Sequence, residues 1–184
     1  ACRDNLSVWT ETATMVLLSI QQPWHNLPTQ FADVRENGRQ SKYLWGFKSN
    51  GFDFLLAHGA RLQKAARVAH AANDLDGLIW AYLEIPGLGL VKASFLAQLT
   101  IGQGACLDVH NLKRFGFKPD AFKLPKSLKP ETIHSKIRLY NAAWSAHGDS
   151  RFWWDSWCDH LAKRHKAHYK SGHDVSVIHT LPLT

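Results

Sequence analysis

The sequence predicts an all-α protein, on three observations. Apolar residues recur at three- and four-residue intervals through most of the 184 residues. Proline, glycine and small polar residues punctuate these runs where helices start and stop. No alternation of strands and helices of the βαβ kind is present, and no tandem repeat. The length and 45% hydrophobic content suit a single domain over 1–184, with a core large enough to serve two lobes.

The elements follow in order. Thr10 can cap a helix through "ETATMVLLSI", with Met15, Val16, Leu18 and Ile20 toward the core; it stops before Pro23. "QQPWHNLP" is a loop. Residues 30–53 mix aromatics (Phe31, Tyr43, Trp45, Phe47, Phe52) with polar residues and read as short helices and loops. "FLLAHGARLQKAARVAHAAN" is an amphipathic helix with a candidate break at Gly59; Leu62, Ala65, Ala66, Val68 and Ala69 form its apolar side. Asp74 caps the next helix, whose Leu75, Leu78, Ile79, Tyr82 and Leu83 share a face, and Pro86-Gly87 ends it. "VKASFLAQL" starts after Leu90. Asp108 opens a short helix, "VHNLKRF", closed by Gly116. A lysine- and proline-rich linker over 117–130 leads to C-terminal helices over 130–170. The first runs from Pro130 to His147 with Ile133, Ile137, Tyr140 and Trp144 on one stripe.

Composition narrows the function classes. The net charge is +7, which favours a polyanionic partner. From Lys92 to Arg138 nine basic residues face three acidic ones, so most of that excess surrounds Asp108. Within this cluster Lys113 and Arg114 are the better candidates for phosphate contact, because the lysines of 118–129 also suit a solvated loop. No window has the roughly 18 apolar residues of a membrane span. The opening "ACRDNLSVWT" lacks the basic start and apolar core of a signal peptide. Cys2, Cys106 and Cys158 are too few and too scattered for a disulfide framework. An intracellular location is therefore expected: cytoplasm or nucleoid, or host cytoplasm if the source is viral.

The stretch "EIPGLGLVKASFLAQLTIGQGACLDVH" (84–110) carries the chemistry. Its hairpin, 84–92, joins two helices through P-G-L-G. Gly87 and Gly89 permit backbone angles that other residues avoid, and they clear side chains from the turn. The next helix starts there with unpaired amides, on Leu90 and Val91, and the positive end of its dipole. That is a place for an anion, and in a basic protein for a phosphodiester. A tight turn between two core helices would use the same residues, so the surrounding pattern matters.

Three segments together resemble the helix-hairpin-helix DNA glycosylase superfamily, the endonuclease III-like group: "VLLSIQQ", "HGARLQKAARVAHAAN", and the hairpin followed by a D-x-H element, "LDVHNLKRF". The likeness spans about residues 12–116. It implies a two-lobed helical fold with the active-site cleft between lobes, bound to double-stranded DNA as a monomer. It implies that Asp108 is the catalytic carboxylate beside an extruded nucleotide. It maps Gln21, with Gln22 as the fallback register, onto the glutamine that fills the gap left in the duplex. His110 matches the D-x-H histidine. Trp24, His25 and Asn111 are further candidates for the base pocket.

Two departures qualify the likeness. Bifunctional members carry a lysine two residues after the second hairpin glycine, where this chain has Val91. Lys92 is one step further, which rotates it about 100° along a helix. Lys92 is therefore expected on phosphate or solvent, and lyase activity is not expected. Three cysteines also cannot build the family's four-cysteine iron–sulfur loop. No cofactor is expected, a monovalent cation at the hairpin being the one ion left open. In the C-terminal run, Cys158 and His165 share a helical face, with His168 near it. They lack the ligand set of a zinc site and have cationic neighbours, so no metal is expected there.

The expected function is a DNA-binding enzyme acting on a flipped-out base, a monofunctional N-glycosylase serving DNA repair. Two alternatives remain: a phage-type DNA-modifying transferase that attaches an amino acid or amine to an activated pyrimidine on the same fold, and a non-enzymatic helix-hairpin-helix DNA-binding module.

Overall fold

A computed structural model of the chain describes residues 2–118, 120–124 and 129–165, the side chains of 160–165 excepted. The described residues are all-helical, with no strand among them. Eight α-helices succeed one another among the described residues: α1 Leu6–Leu18, α2 Leu27–Asn37, α3 Phe47–Ala72, α4 Leu75–Tyr82, α5 Leu90–Ile101, α6 Val109–Arg114, α7 Pro130–Ser145 and α8 Ser150–His165. Short 3-10 turns cover Cys2–Asp4, Trp24–Asn26 and Gly38–Gln40.

Helix α1 starts earlier than Thr10. Asn5 is the cap, its side-chain oxygen accepting from the amide of Val8 at 3.2 Å. Starting there brings Trp9, fully buried, into the core, where its indole N–H donates to the Tyr82 hydroxyl at 3.1 Å. Residues 30–53 are more regular than expected: α2 fills the first part and α3 begins at Phe47. Gly59 does not break α3. It lies under α1, where a Cβ would stand 3.5 Å from Thr10 Oγ1 and 3.6 Å from Trp9 Cζ3. One glycine costs a helix interior about 1 kcal/mol, which a tertiary contact of this kind overrides. Leu62, Ala66 and Ala69 face the core, but Val68 points to solvent.

The cap at Asp74 is as expected, with its carboxylate accepting from the Gly77 amide at 2.9 Å. The linker is only partly solvated: Lys118 and Lys123 are exposed, while Phe122 is buried edge-on against Tyr140. Helix α7 ends at Ser145 and buries Ile137 and Tyr140. In α8, Trp153, Trp154 and Trp157 are buried. The rest of the 130–170 segment, and His168 with it, lies outside the described residues.

Helices α1, α3, α4 and α5 pack together, and one continuous apolar core runs from Cys2 to Trp157. The hairpin is seated on the start of α3. Gly51 allows that approach: a Cβ there would stand 2.7 Å from the Pro86 carbonyl oxygen and 2.8 Å from Leu17 Cδ1. Gly51→Ala is expected to destabilise the fold by about 1–3 kcal/mol through overpacking against backbone. A lower urea midpoint with an unchanged slope would register it.

Candidate functional site

A cavity of about 590 Å³ is lined by Ser19, Gln21, Gln22, Pro23, Trp24, His25, Lys92, Phe95, Cys106, Asp108, Val109, His110 and Trp157. It gathers the end of α1, the 21–25 loop, the first two turns of α5, the start of α6 and one residue of α8. Its size is that of a small-molecule or nucleotide site.

Asp108 is placed by a pinned segment. Between α5 and α6 the chain runs from Gly102 to Leu107 outside any helix, with positive φ at Gly102 and Gly104. The Tyr140 hydroxyl donates to the Ala105 carbonyl at 2.7 Å and accepts from the Leu107 amide at 2.9 Å. Ser94 Oγ accepts from the Ala105 amide at 3.0 Å. Asn111 Nδ2 donates to the Cys106 carbonyl at 2.7 Å. With the backbone so held, Asp108 caps α6: its Oδ1 accepts from the amides of His110 (3.1 Å) and Asn111 (3.0 Å). One carboxylate oxygen is thereby fixed on the wall of the cavity.

Asn111, expected in the pocket, is not there. It is buried beneath the segment it pins, so its amide serves the backbone rather than a ligand. Cys106 lines the wall and is also buried. Burial pushes its thiol up to about 12; the charge of Lys92 opposes this, while Asp108 raises it through its charge and lowers it through a backbone hydrogen bond. It therefore stands in the site as a neutral thiol.

Lys92 corrects the sequence-based expectation. It does not turn outward: its Nζ donates to Ser19 Oγ at 2.9 Å, lies 5.3 Å from the centre of the Phe95 ring, and faces the cavity. Helical phase gives only where Cα–Cβ points, and four further bonds carry the amine back to α1. Val91, the position one step before, packs against the core. A second amine stands behind. Lys48 is almost completely buried and donates to the Leu18 carbonyl at 2.9 Å, at the end of α1. Burial first, then the charge of Lys92, pull Lys48 below the ordinary lysine range. No signal in the sequence marked Lys48, since a lysine in a stretch of short helices and loops reads as a surface residue.

The 21–25 loop supplies the opposite wall. Gln21 is exposed with φ 56°, a left-handed conformation that costs a non-glycine residue about 1–3 kcal/mol. Gln22 is half-buried, its Oε1 accepting from Gln30 Nε2 at 3.0 Å. Trp24 stands edge-on to Trp157 with centroids 4.6 Å apart, and edge-on to Phe95 at 6.5 Å. Trp157 and Phe95 are both core and cavity lining.

The hairpin stands one turn of helix from Lys92. Gly87 is exposed with φ 93°, and a Cβ there would stand 2.4 Å from Phe47 Cδ2, so the fold itself demands glycine. Gly89 is different. Its φ of −98° suits any residue, and a Cβ would meet nothing within 4 Å. It caps α5 without a side-chain hydrogen bond, and the amides of Leu90 and Val91 have no acceptor among the described residues. Leu90 is buried, so only its backbone is offered outward. Of the two basic residues after Asp108, Lys113 is exposed. Arg114 is engaged, its Nη1 donating to Ser156 Oγ at 2.7 Å and clipping α6 to α8.

Among the described residues no group of three or more His, Cys, Asp or Glu side chains is arranged to hold a metal. The candidate triad of Cys158, His165 and His168 lies largely outside the described side chains. Among the described residues no helix is long and apolar enough to cross a membrane. No family model, curated protein or solved structure matches the chain.

At pH 8 the native protein is expected to leave Cys106 unmodified by iodoacetamide, because a thiol raised from 9.0 to about 12 carries about a thousandfold less thiolate. The sign follows from the neutral form being favoured by burial. Peptide mapping by mass spectrometry should show full labelling only after unfolding.

Proposed function

We propose that the chain is a DNA-binding enzyme that draws one nucleotide out of the duplex into this cavity and hydrolyses its N-glycosidic bond. The observation that supports this best is Asp108: a carboxylate anchored by two backbone amides on the wall of an aromatic-lined cavity, beside a helix start that offers free amides. In this reading the strand lies across the hairpin. Its phosphate takes the Leu90 and Val91 amides, and Gly89 is glycine because a side chain would stand where the phosphate must come.

The chemistry follows from the geometry. Cleavage of C1′–N sends the bonding electron pair onto the base and builds oxocarbenium character on the sugar. The Asp108 carboxylate stabilises that cation and accepts the proton of the water that adds to C1′. Trp24, Phe95 and Trp157 offer aromatic surface to the extruded base. Gln21, held exposed at the rim in a strained conformation, suits a side chain that enters the vacated stack. The cleft would then divide the helices into the two lobes that the family resemblance implies. Lys92 donates to Ser19 rather than standing free as a nucleophile, which fits hydrolysis without strand scission.

The test is mass spectrometry of bases released from a panel of duplexes with damaged or modified bases. Asp108→Asn is expected to lower release by about 10²–10⁴-fold while duplex binding persists. Strand breakage before alkali treatment would show a lyase instead. Gain of mass by DNA from an amine donor, without base release, would support the transferase alternative.

Gly89→Ala separates the hairpin's ligand role from its folding role. Its stability is expected to stay within about 1 kcal/mol of the parent, since φ and space both permit alanine. Duplex affinity should fall several-fold, measured by fluorescence anisotropy at fixed salt. Equal affinity in the alanine variant would remove the hairpin from the interface.

A further inference from the structure

The cavity is electrostatically lopsided. Asp108 is the one carboxylate among its lining residues, and its Oδ1 is committed to two amides. The end of α1 receives two lysines from different helices: Lys92 on Ser19 Oγ and Lys48 on the Leu18 carbonyl. Neither amine forms an ion pair with a carboxylate among the described residues. The carbonyl end of α1 offsets part of this charge. Burying cations this way is costly unless an anion completes the set. Ser19 spends its own proton on the Val16 carbonyl at 2.6 Å, so toward Lys92 it acts only as an acceptor. It holds the amine in place at the cavity wall and leaves that amine's other N–H donors available.

We propose that this corner, Lys92 backed by Lys48, is a subsite for an anionic heterocycle, which makes the substrate a base that departs as an anion. The inference rests on the hydrolytic reading above and specifies its substrate class. When C1′–N breaks, a neutral uracil-type pyrimidine carries the electron pair away as an N1 anion, and Lys92 meets that charge. Water then protonates the free base in solution. A cationic alkylpurine needs no such help, because it departs neutral, and in its ground state it places a positive charge beside Lys92. The neutral Cys106 thiol and the Trp24, Phe95 and Trp157 rings add no charge of either sign. Lys92 is thus assigned as a catalytic residue that contacts the leaving group, with Asp108 acting on the sugar.

The subsite can be tested without turnover. Isothermal titration of the folded full chain with free 5-nitrouracil, an anion at neutral pH, is expected to show binding. It should weaken by about 10–100-fold in Lys92→Met and be largely retained in Lys92→Arg, the range expected for a charge-assisted hydrogen bond. The flat cation N1-methylnicotinamide should bind more weakly than the anion. Matched thermal melts show whether the variants are folded. Absence of nitrouracil binding, equal binding in Lys92→Met, or tighter binding of the cation overturns the proposal.

A second arm uses duplexes carrying either uracil-type pyrimidines or alkylpurines. Release should favour the pyrimidines. Across a series of 5-substituted uracils, Lys92→Met should depend more steeply on leaving-group acidity than the parent does, which a merely structural lysine would not produce. Release of alkylpurines that is indifferent to Lys92→Met overturns this inference and leaves the glycosylase reading standing. Anion binding that depends on Lys92, with no base released from any duplex, does the reverse.

Discussion

The candidate site depends on a buried tyrosine hydroxyl. Tyr140 takes the Leu107 amide and gives its proton to the Ala105 carbonyl, and both bonds lie in a fully buried setting. Burial also pushes its ionisation well above the ordinary tyrosine range, so it remains a donor. A non-helical segment inside a helical protein has no ladder to satisfy its backbone groups. Tyr140, Ser94 and Asn111 supply that satisfaction from α7, α5 and α6. Without it, Asp108 would have no defined direction of approach to the cavity. The cap on Asp108 is local, but the long reach from residue 140 to residue 107 means that the assembled fold aims the capped carboxylate at the cavity.

A similar division of labour holds at the hairpin. Gly51 lets Pro86 rest on α3, and Gly87 accommodates Phe47, so two close approaches orient the turn. These glycines serve packing. Gly89 serves neither packing nor a special dihedral, and its openness is what a bound strand would use. Of the two glycines of one motif, only Gly87 thus answers to a constraint within the fold; an external constraint on Gly89 belongs to the proposed function.

The end of α1 is the third converging point. A helix that stops at Leu18 leaves carbonyls to be satisfied, and Ser19, Lys48 and Lys92 assemble around them. That single terminus links α1, α3 and α5 and brings one amine, Lys92, to the cavity with a second, Lys48, behind it. The aromatic wall comes from α8 and the 21–25 loop. Five separate stretches therefore meet around one volume, with the carboxylate and the amine contributed by different ones.

Much of this was readable from local signals. Asp74 and Asp108 announced their helices because a short acidic side chain can bond amides two or three residues ahead, and that geometry needs no partner elsewhere. The hairpin and the all-helical character were equally local, set by proline, glycine and apolar period. Gln21, Gln22, Trp24, His25, Asp108 and His110 were each marked as candidates, and they line one cavity. Other features depend on contacts between distant residues. The start of α1 follows from Trp9 finding Tyr82, and the continuity of α3 from Gly59 finding α1. Lys92 turned inward to Ser19. In each case the backbone phase was legible, but a long side chain or a close crossing finds its partner only once the helices have packed.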